Sequence, residues 1–192
     1  MSIKMIIGFL PWILFGFLAH HHAIMALLTA LIASTVLFVV NIRRIKIIEV
    51  VGLLFFSILT LLLLVLRLKC LAPHIGLMVH TVLALTAWGS LLLGVPFTIQ
   101  YAKETVDEKY WQTPLFKKVN QIITGAWGVD FVLQAAICEL NSTSRWEYWG
   151  WISSALTIAT LAFTLKFPAW YRKRVSGRDA QRDSEKGSGP AE

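Results

Sequence analysis

One acidic side chain, Asp130, stands near the middle of an apolar run, Val119–Glu139 (VNQIITGAWGVDFVLQAAICE), that is long enough to cross a bilayer. A carboxylate at that depth costs roughly 2.5–3.5 kcal/mol on insertion scales, so it needs a proton, a partner or a water-filled recess. No other hydrophobic run of the chain carries an ionisable acid near its centre. Trp127 at i−3 and Gln134 at i+4 share its helix face. Asp130, Gln134 and Trp127 are therefore the candidate ion or proton site, a carboxylate lining a path between helices. The same three residues also suit a protonated or hydrogen-bonded acid that holds one interhelical contact, with Gln134 or a Ser/Thr of another span as its partner.

The remaining chemistry-bearing residues are dispersed. His20, His21 and His22 sit in one turn, His74 opens a later span and His80 lies about two turns further in. Adjacent histidines point in different directions on a helix, and no Cys or Asp stands beside them at ligand spacing, so no metal site is expected. Cys70 and Cys138 fall on the same side of the predicted topology, which allows a disulfide. The chain has no glycine-rich phosphate loop, nucleophile elbow or HExxH. No catalytic residue and no cofactor is expected, and the chain reads as non-enzymatic.

These residues are carried by apolar segments. Of the 192 residues 56% are hydrophobic and 15% charged, and mean hydropathy is +0.64, too apolar for a soluble domain of this size. Runs of the length needed to cross about 30 Å of hydrocarbon recur along the sequence. The predicted class is all-α, a polytopic membrane helix bundle over 1–171. Six transmembrane helices are drawn, about 3–19, 23–42, 50–66, 75–95, 119–139 and 148–167. The first holds Pro11 and is the one that also suits a re-entrant segment. Its basic-then-apolar order is that of a signal peptide, but Phe17 makes a poor cleavage site and a retained helix is expected.

Fifteen of the eighteen Lys and Arg fall on one side of this drawing. The positive-inside rule puts that side, with both termini, in the cytoplasm. The net charge of +7 thus sits in short loops and a basic cluster, Arg172-Lys173-Arg174, facing anionic lipid rather than nucleic acid. Beyond it, 172–192 reads as a basic and then disordered cytoplasmic tail, starting to lose order at Ser176.

Small and hydroxylated residues recur at helical spacing: Ala26, Ala30 and Ser34, then Thr86, Ser90 and Gly94, then Ser153, Thr157, Thr160 and Thr164. Such ladders let helix backbones approach, and their hydroxyls bond across the contact or back to their own turn. The loop 96–118 mixes aromatics with lysines, and Tyr101, Tyr110, Trp111 and Phe116 are expected as anchors in the cytoplasmic interface. Thr113-Pro114 reads as N-cap plus N1 proline, Thr105–Glu108 as the cap of a short helix, and Ser144–Glu147 as a capping box.

Two regions carry a family resemblance. One is FLPWILF, followed by an Ala-rich second span, NIRRIKIIE and a Leu/Phe-rich third span. The other is PFTIQYAKE with Trp111, Pro114-Leu115-Phe116, Asn120 and Ala126-Trp127. Over about 9–165 this order resembles the intracellular septation protein A family of small bacterial inner-membrane proteins. The resemblance implies a multi-pass protein of the bacterial inner (plasma) membrane, acting by helix-mediated association in cell-envelope or division processes. Its implied partners are the lipid bilayer and other membrane proteins or a second copy of itself. It supplies no catalytic residues and does not account for Asp130. The alternative, a small transporter or channel subunit using Asp130 as a proton or cation site, comes from the residues themselves.

Overall fold

The computed structural model describes residues 3–19, 22–144 and 148–187, and every regular element among them is helical. In order these are α1 (Ile3–Gly8), α2 (Leu10–Ala19), α3 (Ala23–Val40), α4 (Ile47–Thr60, continued by a π-helical turn Leu61–Val65), a 3-10 turn Lys69–His74, α5 (Ile75–Leu92), α6 (Phe97–Ala102), a 3-10 turn Glu108–Tyr110, α7 (Pro114–Ser144) and α8 (Trp149–Gly187). Four helical stretches are long and apolar enough to cross a membrane: Ile47–Val65, Cys70–Leu92, Pro114–Asn141 and Trp149–Gly177. Leu10–Ala19 and Ile24–Val40 are apolar but shorter.

The first apolar run is broken into two helices at Phe9. Pro11 has no N–H to offer Ile7, and its ring crowds the carbonyl one turn earlier, so the helix cannot pass straight through. At its other end, α5 stops on Gly94. The φ of Gly94 is +73°, and Val95 N donates to Ser90 O while Gly94 N donates to Leu91 O. This is the closure of a left-handed glycine C-cap. Gly94 is exposed and faces open space, so its place in the small-residue ladder is corrected: it ends α5 and packs nothing.

The helices form two layers, α2–α3–α4 and α5–α7–α8, and α5 and α7 make the most extensive pairing. Gly76 of α5 lies against Cys138 of α7, and Gly128 of α7 lies under Trp88 of α5, which fixes an antiparallel pair. Ala26, Ala30 and Ser34 are buried where α3 meets α2 and α4. Gly52 gives the third face of that contact; a Cβ there would lie 3.3 Å from Trp12 Nε1 and 3.5 Å from Ser34 Oγ. Ser90 is also buried and accepts from Phe97 N at 3.1 Å, capping the short α6. Thr86 bonds back to Val82 O. Ala26, Ala30, Ser34 and Ser90 are thus buried inside the fold, and Gly94 is not.

An aromatic core joins the layers at Phe9 and continues inside the first layer at Trp12. Phe9 stacks on Trp127 with ring centroids 5.6 Å apart, Trp127 meets Phe131 at 5.5 Å, and Trp12 packs on Phe55 and Phe56 at 5.4 and 5.0 Å. In hydrocarbon the hydrophobic effect supplies no force between helices. Close dispersion contact and offset or tilted ring geometry hold such a core instead.

The loop 96–118 departs from the interfacial reading at two of its four anchors. Tyr110 is exposed, and Trp111, half-buried, donates to Val106 O at 2.9 Å with Lys103 over its ring at 4.9 Å. Tyr101 and Phe116 are buried in the bundle instead. The cause is α6, which folds the loop back beneath α7: Thr98 Oγ1 bonds Asn120 O at 3.1 Å and meets Thr124 Oγ1 at 2.8 Å. Thr113 caps α7 as expected, accepting from Phe116 N at 3.3 Å. Asp107 caps the 3-10 turn by accepting from Lys109 N.

α7 is longer than its apolar run at both ends, starting at Pro114 and ending at Ser144. Ser144 therefore closes α7, and the rest of the Ser144–Glu147 capping box lies outside the described residues, as do His20 and His21. α8 stays helical to Gly187, well past Ser176. A helix already nucleated by a span adds residues at little further cost.

Candidate functional site

Trp127, Asp130 and Gln134 all lie on the buried face of α7, as their spacing requires, and Asp130 is only 2% exposed. Opposite them the hydroxyl stripe of α8 supplies the partners. Gln134 Nε2 donates to Ser153 O at 2.9 Å and to Thr157 Oγ1 at 2.8 Å, and its Oε1 accepts a short bond from Ser153 Oγ. Both amide hydrogens and the amide oxygen are thereby engaged. The α7–α8 clamp belongs to Gln134. Thr164 Oγ1, further along the stripe, bonds back to Thr160 O.

Asp130 is left over by this arrangement. Thr160 and Gln134 interact with its carboxyl, but Oδ1 is buried with no hydrogen-bond partner. Among the described residues no cation pairs with it. Three more buried polar atoms without partners are Trp12 Nε1 on α2, His80 Nδ1 on α5 and Trp127 Nε1 on α7. Leaving such a group unpaired costs about 1–3 kcal/mol each.

Asp130 and these three residues line one cavity of about 900 Å³. It is bounded by α1 and α2 on one side and by α5, α7 and α8 on the other, and its wall is largely aromatic and aliphatic. Its exposed rim includes Ile13 and Phe17 of α2 and Ile158 of α8, so it opens sideways between α2 and α8. α8 packs chiefly on α7, which leaves that side uncovered. Among the described residues the other titratable groups in the lining are His74, His80, Cys138 and Glu139, with no Lys or Arg. Cys138 and Cys70 are both free thiols. Among the described residues no three His, Cys, Asp or Glu gather in metal-binding range.

A second polar cluster lies at the other end of the bundle. Lys46, only 5% exposed, places Nζ 3.4 Å from Glu49 Oε1 and 3.2 Å from Glu104 Oε1, and 5.0 Å from the centre of the Tyr101 ring. Asn41 Nδ2 donates to Glu49 Oε1 at 2.9 Å, and Ile47 N donates to Gln100 Oε1 at 2.8 Å. The latter bond satisfies one orphan amide at the start of α4. Burial, and then the charges of Glu49 and Glu104, hold the Tyr101 phenol well above its ordinary range, so it remains protonated. Gly8 makes room for the Tyr101 hydroxyl, which a Cβ at that position would overlap.

Sequence reasoning counted Lys46 only as a topology charge. The signal was an opposite-charge pair at i,i+3 on the edge of an apolar run, Lys46 and Glu49 in KIIE. The cluster also joins NIRRIKIIE to PFTIQYAKE, two of the stretches that carry the family resemblance. Compared with family models, curated proteins and solved structures, the chain has no match.

Proposed function

We propose that this chain is a multi-pass membrane protein that binds a proton or cation at Asp130, as a small carrier or channel subunit. One observation carries the reading: a deeply buried acid with one carboxylate oxygen lacking a partner lines a cavity shared with three other residues that carry unpartnered polar atoms. Gln134 clamps α7 to α8 and Thr160 of α8 engages the Asp130 carboxyl, yet neither satisfies Oδ1. An intramembrane ionisable residue is a functional-site hypothesis by default. In proteoliposomes the purified protein should dissipate a pH or cation gradient, and Asp130→Asn should remove that flux while the protein still folds. An inert wild type, or an Asp130→Asn variant with full flux, sinks the carrier reading.

For the membrane arrangement we propose six crossings, the two shorter apolar helices adding to the four long ones. Fifteen of the eighteen basic residues then lie on the cytoplasmic side of a bacterial inner membrane, with both termini. Cys70, exposed and free, should react with a membrane-impermeant maleimide from the outer face of intact cells. Labelling only after the membrane is opened would reverse the topology.

A second reading is association with envelope or division proteins in the manner of the septation protein A family, whose likeness to this chain we keep as a proposal. The observation favouring it is the convergence of the resembling stretches: Lys46 and Glu49 meet Glu104 and Tyr101, and Phe9 meets Phe97 and Trp127. Neither reading calls for a covalent reaction. A correctly folded protein with no flux in the experiment above would leave association as the account.

A further inference from the structure

The cavity is far larger than a proton or a metal ion requires. About 900 Å³ is roughly thirty times the share of one water molecule in the liquid, and it lies in the range of sites for drug-sized ligands. Its chemistry is also one-sided. The wall includes the aromatic residues Phe9, Trp12, Trp127 and Phe131, and among its lining stands Asp130, whose Oδ1 no protein group engages. Among the described residues no lysine or arginine lines it, so no permanent positive charge of theirs would pair with an anion there. The rim residues Ile13, Phe17 and Ile158 are exposed on the lateral face of the helices, where a bilayer would surround them, and a ligand dissolved in the lipid reaches the cavity without passing through water.

We propose that this cavity is a binding site for a lipophilic organic cation. Its charge pairs with Asp130, and its apolar body lies against the aromatic wall of Phe9, Trp12, Trp127 and Phe131. Three features each select part of that ligand. The unpaired carboxylate selects positive charge, because an ion pair removes the cost of an isolated intramembrane acid. The aromatic rings reward the same charge, since a cation over a ring face is attracted by its quadrupole, more so when desolvated. The volume and the lateral mouth select a bulky, membrane-soluble body over a hydrated inorganic ion. An acyl chain of a lipid would satisfy the wall but leave Asp130 Oδ1 without a partner. The proposal rests on the reading of Asp130 as a cation or proton site and names the class of cation.

Tetraphenylphosphonium and tetraphenylborate test it, because the two are nearly the same size and shape and differ in the sign of their charge. The full-length protein in nanodiscs, with empty nanodiscs as the blank, should bind tetraphenylphosphonium saturably at one site per chain. Tetraphenylborate should neither bind saturably nor displace it. Asp130→Asn should weaken tetraphenylphosphonium binding about 10²-fold, the scale of removing one partner from a desolvated charge pair. Asp130→Glu should restore most of it and guards against a folding defect in the asparagine variant. Equal binding of the two ions, or tetraphenylphosphonium binding indifferent to Asp130→Asn, would overturn the proposal and mark the cavity as an apolar groove filled by lipid. Absence of saturable binding by a wild type that still carries Asp130-dependent proton flux would overturn the organic-cation class alone and leave the proton reading in place.

Discussion

Lys46→Met is expected to be among the most damaging single substitutions in this chain, at about 3–5 kcal/mol, the usual cost of leaving a buried charge without its partner. Lys46 is the cation shared by Glu49 and Glu104, at 3.4 and 3.2 Å, and its ammonium also sits against the Tyr101 ring. Methionine keeps the length of the stem and removes the charge, so two carboxylates remain facing each other in a site almost closed to water. Lys46→Arg is not a conservative repair, since a planar fork needs a different arrangement of acceptors from a point charge. The double variant Lys46→Met/Glu49→Gln should recover part of the loss, with a coupling of about 0.5–3 kcal/mol. Thermal unfolding in detergent, followed by tryptophan fluorescence or size-exclusion recovery, measures it. A Lys46→Met protein as stable as the wild type would mean that the cluster is solvated and not a strut.

Asp130→Asn should do the opposite, changing function and not stability. Asparagine has nearly the same shape, keeps an acceptor and gains a donor. The α7–α8 clamp through Gln134, Ser153 and Thr157 does not pass through it. Stability should change by no more than about 1 kcal/mol, the net worth of an ordinary hydrogen bond. Replacing an intramembrane ionisable group by a neutral one can even lower the cost of burial. Flux in proteoliposomes should nonetheless fall about 10²-fold, because the amide cannot exchange a proton or neutralise a cation. Gln134→Leu provides the contrasting case: it removes the clamp, destabilises the α7–α8 contact, and leaves the carboxylate in place. If Asp130→Asn unfolds the protein and Gln134→Leu does not, the roles assigned to the two residues are reversed.

The helices were legible because continuous apolar runs of near-bilayer length admit little else, and four of those described are long enough to cross a membrane. Their ends were less so, since hydropathy stops at the first charges while hydrogen bonding does not. α7 therefore begins at Pro114, before the exposed Lys117 and Lys118, and not at Val119. Asp130 and its neighbours Trp127 and Gln134 were legible because a single acid in an apolar run is conspicuous and helical spacing sets its face. What no local rule supplies is which helix it faces. The hydroxyl stripe of α8 was visible, but its pairing with Gln134 depends on a contact 19–23 residues away in sequence. Lys46 was misjudged because positive-inside counting treats every basic residue as solvated. Tyr101 and Phe116 were misjudged because aromatics beside lysines look the same whether they lie in the headgroups or are folded under α7. The small-residue ladders described close packing correctly at Ala26, Ala30, Ser34 and Ser90, but periodicity could not tell contacts within the chain from contacts with a partner.

The most direct test of the account is whether the Asp130 carboxyl exchanges its proton with the outside of the protein. Infrared difference spectra of the reconstituted protein across a pH titration, with Asp130→Asn as the reference, isolate its carbonyl band. The account predicts a protonated-carboxyl band, absent from Asp130→Asn, that converts to carboxylate as the pH is raised and returns when it is lowered. A band that never changes at any pH at which the protein stays folded would show a sealed structural acid and contradict the account.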